Sequence, residues 1–373
     1  MLKILKKTVK STLVGVMAFT FVNTNLDACT GVRLTAQDGS VVVGRSMEWG
    51  AFDLNSRVTI IPRGYHFQGL TPDGLNGKKW TAKYGIVGLD MINKLAFADA
   101  INEEGLSAGL FYHPDYAKYP KYSKKNASNT ITAIDFISYI LSNYKNVDEV
   151  KKGIKNLQVV GVNEPLIGKI IEAHFMVTDA KGKSIVIEWE DGKMKIYDAP
   201  LGVITNSPYY DWHLTNLRNY VNLSQVAIPS KKIQDMNFAP LGAGSGMIGL
   251  PGDFTPPSRF VRAVAFSQSA RKTPNSKETM YELFRILDNF NLGVGNAEGS
   301  EHAKGKTGLR SSTIWTIGYE TTNKVMYYHT QHNRQVRMFD LKKIDFSNIG
   351  NKIIYLPLDK KKEQYMEDIT LKK

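Results

Sequence analysis

The 373-residue sequence predicts an α+β protein of antiparallel sheets covered by helices. Apolar segments with strand character come in pairs joined by tight turns, and helix-periodic segments fall between those pairs. A parallel sheet would instead alternate single strands with helices. No internal repeat and no Pro- or Ser-rich linker divides the chain, so one domain is expected from residue 29 onward. Composition agrees: 42% hydrophobic and 22% charged residues are ordinary for a chain with a sizeable core and exclude a disordered or collagen-like one.

Residues 1–28 read as a leader outside that fold. Lys3, Lys6, Lys7 and Lys10 precede an apolar run from Thr12 to Val22, then a polar piece, then Ala28. This is the layout of a bacterial-type secretory signal cut after Ala28, and the run is short of the roughly 20 residues a spanning helix needs. The expected location is therefore periplasmic or secreted. Leu26-Asp27-Ala28-Cys29 also resembles a lipoprotein processing box, which would put a lipid on the sulfur. Asp27 and the polar Asn23-Thr24-Asn25 count against it. No other segment predicts a membrane span.

Cys29 to Ala36 and Ser40 to Trp49 form a hairpin about Gln37-Asp38-Gly39, and Val58 to Pro62 adds a strand. Lys94 to Asn102 pairs with Gly105 to Tyr112. Ala133 to Leu157 has helical spacing, carried by Ile134, Phe136, Ile137, Ile140 and Leu141. His174 to Asp179 and Ser184 to Glu190 make a second hairpin, followed by strands at Lys193 to Tyr197 and Gly202 to Thr205. Arg259 to Ser269 and Lys277 to Phe290 read as helices. Thr313 to Tyr319, Val325 to Thr330 and Gln335 to Phe339 close the pattern, and Lys360 to Lys373 is a charged tail.

The formal net charge is +13, and a leader with four Lys and one Asp accounts for only part of it. Its basic residues are scattered pairs such as Lys78-Lys79 and Lys231-Lys232. A nucleic-acid reader would cluster them with aromatics, so no nucleic-acid partner is expected. A basic surface still suits anionic small molecules.

The chain has one Cys, which excludes an intrachain disulfide and a Cys-rich zinc site. Cutting after Ala28 would make Cys29 the first residue. Its own α-amine, with an ordinary pKa of about 7.7–8.0, could then take the thiol proton and return it to a leaving amine. Arg45, in the second strand of the hairpin, could favour the thiolate, and Glu48 could orient the ammonium. The plainer alternative for both is a half-buried ion pair. Asn206, at a strand end, is suited to donate to an oxyanion or simply to make its turn. Arg259 follows a Gly/Pro-dense loop that could frame a pocket, or it caps a helix.

Other motifs fail. GLSAG at Gly105–Gly109 matches the serine-hydrolase elbow but opens a strand, so Ser107 is not the nucleophile. Gly299 to Thr307 has the wrong spacing for a phosphate loop, and Gly242-x-Gly244-x-Gly246 lacks dinucleotide spacing. His329-x-x-His332 is a weak zinc signal.

Five segments in order resemble the choloylglycine hydrolase family, which includes conjugated bile salt hydrolases and penicillin V acylases. They are CTGVR at Cys29–Arg33, GRSMEW at Gly44–Trp49, NEEGLSAGL at Asn102–Leu110, ITNSPYYDWHLTNLRNY at Ile204–Tyr220 and GLPGDFTPPSRFVRA at Gly249–Ala263. The resemblance implies the four-layer αββα sandwich of N-terminal nucleophile hydrolases, a homotetramer, and no cofactor or metal. It implies Cys29 as nucleophile, Arg45 beside the sulfur, Asn206 as an oxyanion donor and Arg259 in the active site. Two departures stand out. Glu48 replaces the usual Asp, and Phe111-Tyr112 occupies the stretch where Asn or Tyr is usual, leaving a backbone N–H there as a donor.

The substrate implied is a glycine- or taurine-conjugated bile acid, with penicillin V or another N-acyl amide as alternative. Met47, Phe111, Tyr112 and Phe254 flank the matched motifs as candidate wall or core residues. A lipidated, non-catalytic ligand-binding protein is the reading from a different class.

Overall fold

A computed structural model describes residues 28–50, 53–166, 168–297, 311–350, 352–361 and 363–370. The leader before Ala28, the Gly299 to Thr307 motif and the last three residues of the tail lie outside these.

Fourteen strands form the two principal sheets. In chain order they are β1 (Cys29–Thr35), β2 (Val41–Trp49), β3 (Arg57–Ile61), β4 (Ile86–Asp90), β5 (Phe97–Asn102), β6 (Ser107–Tyr112), β7 (Ala173–Thr178), β8 (Ser184–Glu190), β9 (Lys193–Asp198), β10 (Val203–Ile204), β11 (Ser312–Glu320), β12 (Val325–Thr330), β13 (Arg337–Asp340) and β14 (Ile354–Pro357). The helices are α1 (Ala133–Asn143), α2 (Val147–Gly153), α3 (Tyr210–Asn216), α4 (Pro256–Ser269) and α5 (Ser276–Asp288). One sheet runs β10-β1-β2-β11-β12-β13, the other β9-β8-β7-β6-β5-β4-β3-β14. Their pairings are all antiparallel.

Helices α4 and α5 cover the first sheet, α5 packing on β1, β2 and β11; α1 packs on β5 and β6 of the second. The sheets face each other between these layers, which is the α+β sandwich expected. Their approach is close at Gly31, where a Cβ would lie 2.7 Å from Phe111 Cζ.

The β1–β2 hairpin positions the site. Its turn closes with Ala36 N–H donating to Ser40 O at 2.8 Å, and Gly39 has φ +83°, which glycine adopts without strain. Cys29 pairs with Met47 and Gly31 with Arg45. Side chains alternate along a strand, so Cys29, Met47 and Arg45 share one face, while Ser46 and Glu48 take the other.

Several elements differ from expectation, three of them with a plain physical cause. The helix predicted over Ala133 to Leu157 is two: Tyr144 adopts extended backbone, and Asn146 caps α2 by accepting from Glu149 N–H at 2.9 Å. Helix α4 starts at Pro256 rather than Arg259, because prolines in the first turn forfeit no helical bond. Strand β4 carries no alternation because it is buried on both faces.

Candidate active site

Cys29 opens β1 and is buried, its Sγ 3.8 Å from Met47 Sδ. Its nitrogen is in the Ala28–Cys29 peptide and donates to Asn206 Oδ1 at 3.0 Å, while Glu48 N–H donates to Ala28 O at 2.9 Å. Cys29, Met47, Trp49, Leu54, Met91, Ile92, Leu110, Tyr112 and Ile171 line a cavity of ≈ 40 Å³. That is room for a few water-sized groups.

Asn206 follows β10 and joins the pieces. Oδ1 accepts from Cys29 N and from Arg259 Nη2 at 2.6 Å, and Nδ2 donates to Tyr112 O at 2.7 Å. An arginine only donates and a carbonyl only accepts, so these partners dictate which end of the amide faces which way. One Nδ2 hydrogen goes to Tyr112; the other remains for a further acceptor.

Arg45 crosses the space between the sheets. Nη1 donates to Leu110 O and, at 3.4 Å, to Ala98 O; Nε donates to Ser46 O at 3.2 Å. The guanidinium lies 4.3 Å from the Phe111 ring centroid, and Nη2 is 3.4 Å from Met47 Sδ. Met47 sulfur is thus a shared neighbour of Arg45 and Cys29.

Arg259 reaches Cys29 from the helix side. Nη1 donates to Cys29 O and, at 3.0 Å, to Thr30 Oγ1; Nε donates to Phe254 O at 2.8 Å. Burial lowers its pKa to about 10, against the pull of Glu48 and Cys29. Glu48 Oε1 accepts from Thr313 Oγ1 at 2.8 Å, whereas Oε2 is buried with no hydrogen-bond partner among the described residues. Burial pushes this carboxyl up to about 7, with Arg259, Ser46 and Thr313 pulling the other way.

A buried histidine group lies behind Asn206. His174 Nδ1 is 2.8 Å from Glu188 Oε1, His174 Nε2 is 3.1 Å from Thr205 O, and His213 Nε2 is 2.9 Å from Asn206 O. Burial depresses His213 to about 4 and His113 well below the ordinary histidine value. Among the described residues, only His113, His174 and Glu188 gather enough ligand atoms for a metal ion. They do not fit one. The two imidazoles stack at 4.0 Å and 14°, so their lone pairs lie in separate near-parallel planes, and both His174 nitrogens already face Glu188 Oε1 and Thr205 O.

The structure brings Cys29, Arg45, Met47, Glu48, Asn206, Arg259 and Tyr112 into one region. Cys29 nitrogen, in a peptide here, donates to Asn206 Oδ1, and Glu48 lies on the face of β2 opposite Arg45 and Met47. Two expectations are corrected. Phe111 does not line the cavity; it packs under Arg45 between the sheets. Phe254 also lies off the cavity and offers its carbonyl to Arg259. Ser107 is buried in β6, donating to Thr178 O. Sequence reasoning missed His174, Glu188 and His213. The available signal was a histidine and a glutamate inside two apolar strands of one hairpin.

The sequence profile described as linear amide C–N hydrolases, choloylglycine hydrolase family, matches residues 29–355. A bile salt hydrolase/transferase from Clostridium perfringens is 33% identical over 329 residues, covering 87% of this chain and 95% of its own length. A penicillin V acylase from Pectobacterium atrosepticum is 25% identical over 85% of this chain and 81% of its own. Among solved structures, a variant of the conjugated bile acid hydrolase from Clostridium perfringens matches with a TM-score of 0.77 at 29% identity, over 92% of this chain and all of that one.

Proposed function

The chain belongs to the choloylglycine hydrolase family and is an amidohydrolase acting on linear amides, and from that premise we propose that it hydrolyses glycine- or taurine-conjugated bile acids with Cys29 as an N-terminal nucleophile. The observation that carries this reading is the convergence of Asn206 Oδ1 on the nitrogen, and of Arg259 on the carbonyl, of a cysteine that also lines the cavity.

Removal of the leader after Ala28 frees the α-amine. That amine takes the thiol proton as Sγ attacks the substrate carbonyl. The second hydrogen of Asn206 Nδ2 and a backbone N–H near Phe111 meet the oxyanion; such a donor is typically worth roughly 3–4 kcal/mol. The proton passes to the leaving nitrogen, glycine or taurine departs, and water cleaves the thioester. Arg45 and Arg259 supply positive charge about the cysteine, and the buried carboxyl of Glu48 offers the new ammonium an acceptor. The leader implies an exported enzyme. The exposed apolar residues Ile233, Met236 and Phe238 support burial against further copies, as in the homotetramer expected.

A second reading has the same chemistry with an N-acyl amide such as penicillin V as the preferred substrate, supported by the similarity to a penicillin V acylase. Side-by-side hydrolysis of glycocholate, taurocholate and penicillin V by the processed protein, with Cys29→Ser as control, decides between them. The nucleophile assignment fails if Cys29→Ser keeps near-full turnover. Mass spectrometry of the native N-terminus tests the free cysteine; acyl chains on it would support the lipidated binding protein instead.

A further inference from the structure

We propose that the buried His174–Glu188 pair, together with His213, is a positioning device that aims Asn206 at the reaction centre. The inference rests on Cys29 being the acylated nucleophile and extends the site to residues that touch no substrate.

The turn presenting Asn206 is gripped through its carbonyls. Thr205 O faces His174 Nε2 at 3.1 Å, and Asn206 O faces His213 Nε2 at 2.9 Å. A carbonyl only accepts, so each of these ring nitrogens carries a hydrogen. The 2.8 Å contact between His174 Nδ1 and Glu188 Oε1 and the 3.1 Å contact between Nε2 and Thr205 O hold the ring at both nitrogens, so its orientation toward the turn is fixed.

Glu188 is itself anchored, accepting from Tyr210 N–H at 3.1 Å at the start of α3, the helix that carries His213. One carboxylate therefore ties both imidazoles to the turn. His113 stacks flat on His174, and the residue before it, Tyr112, accepts from Asn206 Nδ2. The main chain before Asn206, its own carbonyl and its side-chain amide are thus all set by one buried group. His174, Glu188, His213 and Asn206 are each at most 2% exposed, so the donors face no competition from solvent.

The test compares two reactions at Cys29. Acylation by p-nitrophenyl acetate passes through an oxyanion, whereas alkylation by iodoacetamide is a direct displacement at carbon and makes none. The p-nitrophenolate burst is read on leaderless protein and must vanish after alkylation. His213→Phe removes the donor to Asn206 O without stranding a charge. Pairing His174→Phe with Glu188→Leu removes the donor to Thr205 O and both buried ionisable groups together. Each folded variant should acylate slower by about tenfold or more while alkylating within about twofold of wild type.

Glu188→Gln can still donate to His174 Nδ1 and accept from Tyr210 N–H, so it should stay within about threefold of wild type in both reactions. Unchanged acylation in folded His213→Phe or in the double variant overturns the proposal. So does a parallel fall of acylation and alkylation, which would mark general disruption of the site. A wild type that shows no burst refutes the nucleophile assignment itself, a result distinct from either.

Discussion

Glu48→Gln isolates the cost of ionising a carboxyl inside this fold. The wild-type side chain is buried, and its pKa stands at about 7 against an ordinary 4.5. At about 1.4 kcal/mol per pKa unit, the difference is worth about 3 kcal/mol. Below pH 4.5 the group is protonated in both folded and unfolded chains, and the native state is at full strength. Between 4.5 and about 7 the unfolded chain gives up its proton and the folded one holds it, so stability declines as pH rises. Above about 7 the loss is complete. The glutamine of the Glu48→Gln variant keeps the volume and still accepts from Thr313 Oγ1, but it cannot ionise.

Asp99 contributes a decline of the same sign. Burial raises it to about 7 despite the opposing pull of Arg45 and the nearby Tyr319. Both carboxyls pull stability down between about pH 5 and about pH 8, while the buried neutral His213 and His113 pull it up with pH below about 6.5. The wild-type-minus-Glu48→Gln difference therefore isolates the Glu48 fall. Urea unfolding at four values spaced from about pH 5 to about pH 8, with m unchanged, measures it. Parallel wild-type and variant curves across this range would refute the reasoning.

Three further outcomes follow from the same geometry. Asn206→Ala should lower kcat by about 100- to 1,000-fold if its amide serves the oxyanion, read by steady-state kinetics on the processed enzyme; a loss within about threefold would count against it. Gly31→Ala brings a methyl to 2.7 Å from Phe111 Cζ and 2.8 Å from Ile204 Cγ2, and should destabilise by about 1–3 kcal/mol in urea unfolding. Adding Phe111→Leu should recover part of that loss, and strict additivity would argue against the clash. Arg45→Lys cannot serve Leu110 O and Ser46 O with one planar fork, so the alkylation rate of Cys29 near neutral pH should fall by about fivefold; an unchanged rate would remove Arg45 from thiol activation.

Much of the scaffold is legible along the chain. The β1–β2 hairpin reads directly from two apolar runs around Gln37-Asp38-Gly39, because both turn and strand are local. The break between α1 and α2 is less visible, since apolar spacing continues across it; the decisive element is the Asn146 cap. Strand β4 is hidden by burial on both faces, which erases alternation. Phe111 and Tyr112 are adjacent in one strand, yet Tyr112 lines the cavity and Phe111 lies under Arg45.

By itself the sequence determined that Cys29 and Arg45 lie in the two strands of one hairpin, because turn and strand signals are local. Its motifs also carried the family and the roster Cys29, Asn206 and Arg259. Only the tertiary structure decided which atom of each faces which. Asn206 is 177 residues from Cys29, and Arg259 is 230, so no local rule relates their orientations. The amide turns its oxygen to Cys29 because Arg259 can only donate and Tyr112 O can only accept, and those partners meet only when the helix layer and both sheets have closed around them.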